Sequence, residues 1–216
     1  MNRKGRKARF KGIDIYPVTC QDLSKGRTNV EVLDAVLAGG AQIIQLREKH
    51  WDKKKFYELG LEFRTRTLNC HALLIINDHV DIALAVKADG VHLGQDDLPI
   101  KAAREIAPEL LIGGSSHSLQ EAIQAETDGA DYVNIGPIFP TKTKESVSRF
   151  LGPEAIREVG PRLNIPFTTM GGINGSNIHE VLQAGARRVA MVTGIIQAPD
   201  ITSRVRELRE IISSYS

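Results

Sequence analysis

A chain of 216 residues with 42% hydrophobic and 25% charged residues suits one globular domain, and a single α/β barrel commonly reaches this length without a second core. The longest apolar runs are too short to cross a membrane, and the formal net charge is only +2, so neither a transmembrane protein nor a broadly basic nucleic-acid binder is indicated. The two cysteines, Cys20 and Cys70, have no metal-ligand spacing, and the chain reads as reduced and cytoplasmic.

Six basic residues, Arg3, Lys4, Arg6, Lys7, Arg9 and Lys11, crowd the first dozen positions. No apolar core or small-residue cleavage site follows them, so residues 1–12 are expected to be a solvated, poorly ordered arm rather than a signal peptide. Apolar strand-like runs then begin at residues 13–19 and recur at 42–45, 73–76, 90–93, 110–113, 132–135, 165–169 and 187–192. Amphipathic helical stretches alternate with them at 30–37, 51–67, 79–86, 98–107, 119–127, 153–160, 177–183 and 201–213. Glycines at 39–40, 90, 129 and 185 precede the even-numbered strands at a spacing of roughly fifty residues, the period of two strand–helix pairs. Continuous rather than alternating apolar strands indicate burial on both faces, and eight such pairs predict a (β/α)8 TIM barrel in one domain, residues 13–216. A doubly wound open sheet is the fold alternative, but the turn after the first strand, Thr19-Cys20-Gln21-Asp22, lacks the glycines of a dinucleotide fold.

Polar clusters sit where the strands end, which in a parallel barrel places them on one rim. Arg47 and Lys49 are separated by one residue, so an extended chain directs both cations to one side, suited to an anion. Asp78 and Asp97 end neighbouring strands and are positioned to share one hard cation such as magnesium, which one or two carboxylates and substrate phosphates typically hold; each also suits a helix cap. Thr141, Lys142, Thr143 and Lys144 lie in a long loop able to close over a ligand. Gly171 and Gly172 after the seventh strand, with Val192 and Thr193 after the eighth, occupy the place where barrels bind phosphate by bare backbone.

With QLREK at 45–49, Asn77-Asp78, GVHLGQDD at 90–97, GPIFPTKTK at 136–144 and Gly171-Gly172-Ile173 in this order and spacing, residues 13–212 resemble the thiamine-phosphate synthase family. The resemblance implies a barrel that joins 4-amino-2-methyl-5-hydroxymethylpyrimidine diphosphate to 4-methyl-5-(2-hydroxyethyl)thiazole phosphate, giving thiamine phosphate and diphosphate. It implies that Gln45, Leu46, Arg47, Glu48, Lys49, Asn77, Ser115 and Lys144 meet the pyrimidine diphosphate, with Arg47, Lys49, Ser115 and Lys144 catalytic. Magnesium would sit on Asp78 and Asp97, and Thr141, Lys142, Thr143, Gly172, Val192 and Thr193 would meet the thiazole phosphate. The chain departs from the family where Thr168-Thr169-Met170 precedes Gly171 and where Thr193-Gly194 replaces a common Ser-Ala.

Two rival functions are open at this level. A thiazole tautomerase would use His117 as acid–base but has no need of Arg47, Asp78, Asp97 and Lys144. A non-catalytic barrel would use its basic arm to bind RNA or a partner. Small-molecule partners fit the residues best, without nucleic acid or membrane, and the outer helical faces, such as 51–67, suit solvent or a homodimer alike.

Overall fold

The structure, a computed structural model, describes residues 1–141 and 150–215. Its strands are β1 (Ile15–Pro17), β2 (Ile43–Leu46), β3 (Leu73–Asn77), β4 (Gly90–Leu93), β5 (Leu111–Ser116), β6 (Tyr132–Ile135), β7 (Phe167–Thr169) and β8 (Val189–Met191). They pair in parallel in the order β1-β8-β7-β6-β5-β4-β3-β2. A lone parallel bridge between Val18 and Gln45, with Thr19 N–H donating to the Gln45 carbonyl at 3.0 Å, brings β1 against β2 and rounds the sheet into a TIM barrel.

The helices are α1 (Arg3–Lys11), α2 (Asn29–Ala38), α3 (Lys53–Asn69), α4 (Val80–Ala85), α5 (Ile100–Ile106), α6 (Leu119–Thr127), α7 (Glu154–Val159), α8 (Ile178–Gln183), α9 (Thr193–Ile196) and α10 (Ile201–Ser213). Local chemistry fixes several starts. Thr28 and Glu31 form a reciprocal capping box at α2, and the side chains of Asp52, Ser118 and Asp200 accept N–H bonds at the starts of α3, α6 and α10.

Strand alternation divides the core into two layers. Ile44, Leu46, Leu74, Ile76, Val91, Ile112 and Val133 point outward and pack with the helices, whereas Ile43, Leu73, Ile75, Leu111, Tyr132 and Ala190 fill the interior of the barrel. The same parity carries upward: Gln45, Asn77, His92, Ser115 and Asn134 are the inward residues near the C-terminal ends of five strands, and all five line one pocket there.

Residues 3–11, expected to be a solvated arm, instead form α1, which seats on the barrel at its N-terminal end. Arg3 binds Asp131 at 2.8 Å, Arg6 binds Asp89 at 3.2 Å and Lys7 lies 3.4 Å from Asp131. Asp89 also takes Arg64 of α3 and the Leu74 N–H, and Asp131 takes Arg104 of α5 and the Ile112 N–H. The two aspartates thus repeat one clamp in successive quarters of the barrel. Burial alone would push Asp131 up, but the Arg3 bond, the Ile112 N–H and the Arg104 charge outweigh it and hold the carboxyl below its ordinary value. Phe10 completes the seat: it is fully buried and stacked on Tyr132 with ring centroids 4.1 Å apart, and burying such a side chain contributes roughly 1.5–3 kcal/mol.

Candidate active site

The pocket opens at the C-terminal mouth, and its first wall is the end of β2. Gln45, Arg47 and Lys49 face into it. Leu46 and Glu48, expected beside them, do not: alternation sends Leu46 into the strand–helix core, and the buried Glu48 carboxylate accepts the Gln21 N–H at 2.8 Å. Burial raises the Glu48 pKa despite that bond. Thr19 Oγ1 accepts the Arg47 N–H at 2.9 Å, so the loop after β1 clips the cationic segment on two sides. Among the described residues, no acceptor pairs with the Arg47 guanidinium, which leaves it available to an anion.

Asp78 and Asp97 come together as expected, although neither caps a helix. His79 and Pro99 occupy the N-cap positions of α4 and α5, and Asp78 adopts φ 63°, turning its carboxylate to accept from Lys49 Nζ at 2.6 Å. Asp97 accepts the Gly94 N–H at 2.6 Å and shares a hydrogen bond with Asp78. Burial, then that neighbouring carboxylate, raises the Asp97 pKa. Two adjacent carboxylates beside an anion-suited wall are an oxygen donor set of the kind that holds a divalent cation, so these residues fit a magnesium ion.

The floor is a hydrogen-bonded series. Gln45 Nε2 donates to Tyr16 Oη at 3.0 Å, Tyr16 and Tyr132 hydroxyls lie 3.0 Å apart, Tyr132 Oη is 3.2 Å from His92 Nδ1, and His92 Nε2 is 2.9 Å from Ser115 Oγ. Burial pushes the His92 pKa down to about 4, so the ring is neutral at physiological pH. Across the floor, Asn134 Oδ1 accepts from Thr168 Oγ1 at 2.9 Å.

Opposite β2, the Gly171-Gly172 turn after β7 and the loop after β6 are fitted to one another. Ile138 and Phe139 N–H groups donate to the Met170 and Gly171 carbonyls at 3.0 and 2.9 Å. Gly171 has φ 106°, and a Cβ there would lie 2.4 Å from that of Pro137; a Cβ on Gly172 would lie 2.4 Å from the Pro140 carbonyl oxygen. Asn174 and Asn177 donate to the Gly172 carbonyl. Gly172, Thr141, Val192 and Thr193 line this side of the pocket. Lys142, Thr143 and Lys144 lie outside the described residues.

Comparison with known proteins is decisive for the family. The thiamine monophosphate synthase family model matches residues 15–195. The chain belongs to that family. It is 44% identical over 199 residues to the thiamine-phosphate synthase of Chloroflexus aurantiacus, covering 92% of each chain. It is 46% identical over 201 residues to that of Pelotomaculum thermopropionicum, covering 93% of this chain and 92% of the relative. A solved thiamine phosphate pyrophosphorylase from Pyrococcus furiosus superposes with a TM-score of 0.89 at 40% identity, covering 96% of this chain and 98% of that one. Membership of the thiamine monophosphate synthase family makes the chain a transferase of thiamine biosynthesis.

Within this family member, sequence reasoning left several lining residues unassigned, Val18, His92 and Asn134 among them. Strand parity held the signal for two. His92 is two residues from inward Gly90 and pairs with inward Asn77 across β3 and β4, and Asn134 is two residues from inward Tyr132. His117, expected only in the tautomerase alternative, also lines the pocket, and its Nδ1 is 3.0 Å from Glu121 Oε2.

Proposed function

We propose that this chain condenses 4-amino-2-methyl-5-hydroxymethylpyrimidine diphosphate with 4-methyl-5-(2-hydroxyethyl)thiazole phosphate, giving thiamine phosphate and diphosphate. The observation that carries this reading is the convergence of Arg47, Lys49 and Asp78, with Asp97 beside Asp78 and outside the lining, on one side of a pocket whose other side is the backbone-rich Gly172 and Val192-Thr193 wall. One wall has the charge of a diphosphate site; the other offers a place for a second phosphate. Asp78 and Asp97 would hold magnesium, which when bound neutralises charge on the diphosphate oxygens.

The residues' work follows from charge. Arg47 and Lys49, joined by Lys144, bind the departing diphosphate and favour ionisation of the pyrimidine methylene. The apolar strand ends and the β6 loop exclude water from the resulting cation, and the thiazole nitrogen attacks while its own phosphate is held by Thr141, Lys142, Thr143, Gly172, Val192 and Thr193. Ser115, at the end of the floor series, orients the pyrimidine. Leu46 and Glu48 act on this site only through the chain that presents Arg47 and Lys49. We place the enzyme in the cytoplasm, acting on small molecules rather than nucleic acid; no helix among the described residues is long and apolar enough to cross a membrane, and a homodimer is compatible with the outer helical faces.

The test is formation of thiamine phosphate from the two substrates with and without magnesium. Product that requires both substrates and the metal is expected, with Asp97→Asn shifting the magnesium titration to higher concentration. His117 in the pocket favours a second reading, tautomerisation of the thiazole phosphate. Proton exchange or isomerisation of that compound alone, with no condensation, would establish it instead.

A further inference from the structure

The basic N-terminal segment has no part in the site described above, yet α1 makes a continuous connection to the pocket floor. Phe10 stacks on Tyr132 at 4.1 Å with 26° between the ring planes and meets Tyr16 edge-on at 6.4 Å. The residue immediately before Tyr132 is Asp131, which Arg3 and Lys7 grip from the same helix. Tyr132 is therefore held by α1 through both its ring and its backbone neighbour. On its far side, Tyr132 stacks with His92 at 5.6 Å and bonds His92 Nδ1, and His92 Nε2 meets Ser115 Oγ. The contact leaves no slack. A Cβ on Gly113 would lie 2.1 Å from Tyr132 Cζ and 2.6 Å from His92 Nδ1, so β5 carries a glycine where the two rings pass.

The direction of the protons follows from which groups can only donate. The Gln45 amide nitrogen donates to Tyr16 Oη, so the Tyr16 proton is free for Tyr132 Oη, and the Tyr132 proton for His92 Nδ1. A His92 ring whose Nδ1 accepts from Tyr132 carries its proton on Nε2 and donates it to Ser115 Oγ, leaving the serine O–H directed to the pocket.

We propose that α1 is a positioning element for catalysis: through Phe10 it fixes Tyr132, and through Tyr132 the His92 ring, in the tautomer and orientation that present Ser115 to substrate. This rests on the condensation reading above for its kinetic effect, but not for its effect on His92. Phe10 and Tyr132 touch no substrate and act through their neighbours, so small displacements at the floor change rate more than affinity.

The experiment compares the full chain with Phe10→Leu, which keeps apolar volume but not stacking, with Tyr132→Phe, which keeps the ring but not the hydroxyl, and with the double variant. For each, kcat, the KM of the thiazole phosphate and the nitrogen NMR spectrum of His92 are measured. Each single variant is expected to lower kcat on the order of tenfold, about 1.4 kcal/mol, with that KM unchanged. The double variant should be no slower than Tyr132→Phe alone. His92 should change from the Nε2-protonated tautomer to a mixture. A Phe10→Leu protein with a lower Tm but unaltered kcat and tautomer would overturn the proposal, as would simple additivity in the double variant. Should Phe10→Leu fail to fold, Arg3→Gln loosens the same seat from its solvent side and is read the same way. The NMR reading needs no turnover: a tautomer shift in a protein that makes no thiamine phosphate would overturn the condensation reading and leave the positioning of His92 standing.

Discussion

At the N-terminal mouth of the barrel, Asp89 and Asp131 are almost inaccessible, and each is matched by arginines and a backbone N–H. At the C-terminal mouth, by contrast, the Arg47 guanidinium has no acceptor among the described residues, and Asp78 and Asp97 face one another. Both ends use the same residue types. The difference is that charges at the first mouth are matched by the protein itself, whereas those at the second are matched only in part, through the Lys49–Asp78 pair, with Arg47 left over among the described residues. The comparison teaches that a charged cluster in a barrel is read by its pairing: complete pairing marks a structural clamp, and incomplete pairing marks a site.

The largest way to break this contrast is Asp131→Ala, which strips the partner from Arg3 and Arg104 and leaves the Ile112 N–H unpaired. A loss of about 3 kcal/mol in urea unfolding is expected, the lower end for a broken buried pair because Arg3 is one-third exposed. Arg47→Ala should do the reverse, reducing turnover on the order of 10²–10³-fold while the urea midpoint stays close to that of the parent. Lys144→Ala belongs with it on kinetic grounds. If either variant turns over at the parental rate, the charge assignment at the C-terminal mouth fails.

Acid sharpens the contrast more modestly. Asp131 is held below the ordinary carboxylate value of 3.8, so its contribution to stability is complete above that value and is lost as pH falls through the lower, folded-state value. The stability difference between parent and Asp131→Ala, followed by urea titration at successive pH values, should therefore be constant near neutrality and shrink below pH 3.8. The smallest effect is expected outside the pocket lining. Lys53 and Asp81 pair at 2.7 Å with side chains 66% and 60% exposed, and Lys53→Ala should alter stability by less than about 1 kcal/mol and turnover not at all.

How much of this could be read from the sequence depends on how far each signal reaches along the chain. Strands such as 73–76 and 90–93 announced themselves because burial on both faces makes the run itself apolar, and the rim clusters followed from parallel topology. The ends were less legible. The fifth strand extends to Ser116 rather than stopping at Gly113, placing Ser115 inside the strand; nothing in Gly114-Ser115-Ser116 has strand propensity, and pairing with β4 and β6 decides it. The seventh begins at Phe167 rather than Ile165, after a proline that cannot donate to a ladder. Helix α1 had only the local signals of an Asn2 cap and a basic last turn: its nine residues contain one large apolar anchor, Phe10, and the acids that hold it lie more than eighty positions away. At the site, Arg47, Lys49, Asp78 and Ser115 were visible as motifs, while His92 and Asn134 required parity to be carried to the top of each strand. Glu48 was placed in the pocket by the family resemblance that carried residues 45–49 over together, and the same parity removes it.

The barrel is stitched unevenly. Seven of its junctions are named strand pairs, but β1 meets β2 through the lone Val18–Gln45 bridge and the neighbouring Thr19 bonds to Gln45 and Arg47. This seam runs straight into the pocket, with Val18 on one lip and Gln45 and Arg47 on the other. With β7 and β8 joined through the single register pair Thr169–Val189, the seam is one of two lightly laddered junctions in the cylinder. Parting there would draw Val18 away from Gln45 and Arg47, while the Lys49–Asp78 bond and the β2–β3 ladder keep the anion-facing wall joined to the carboxylate pair.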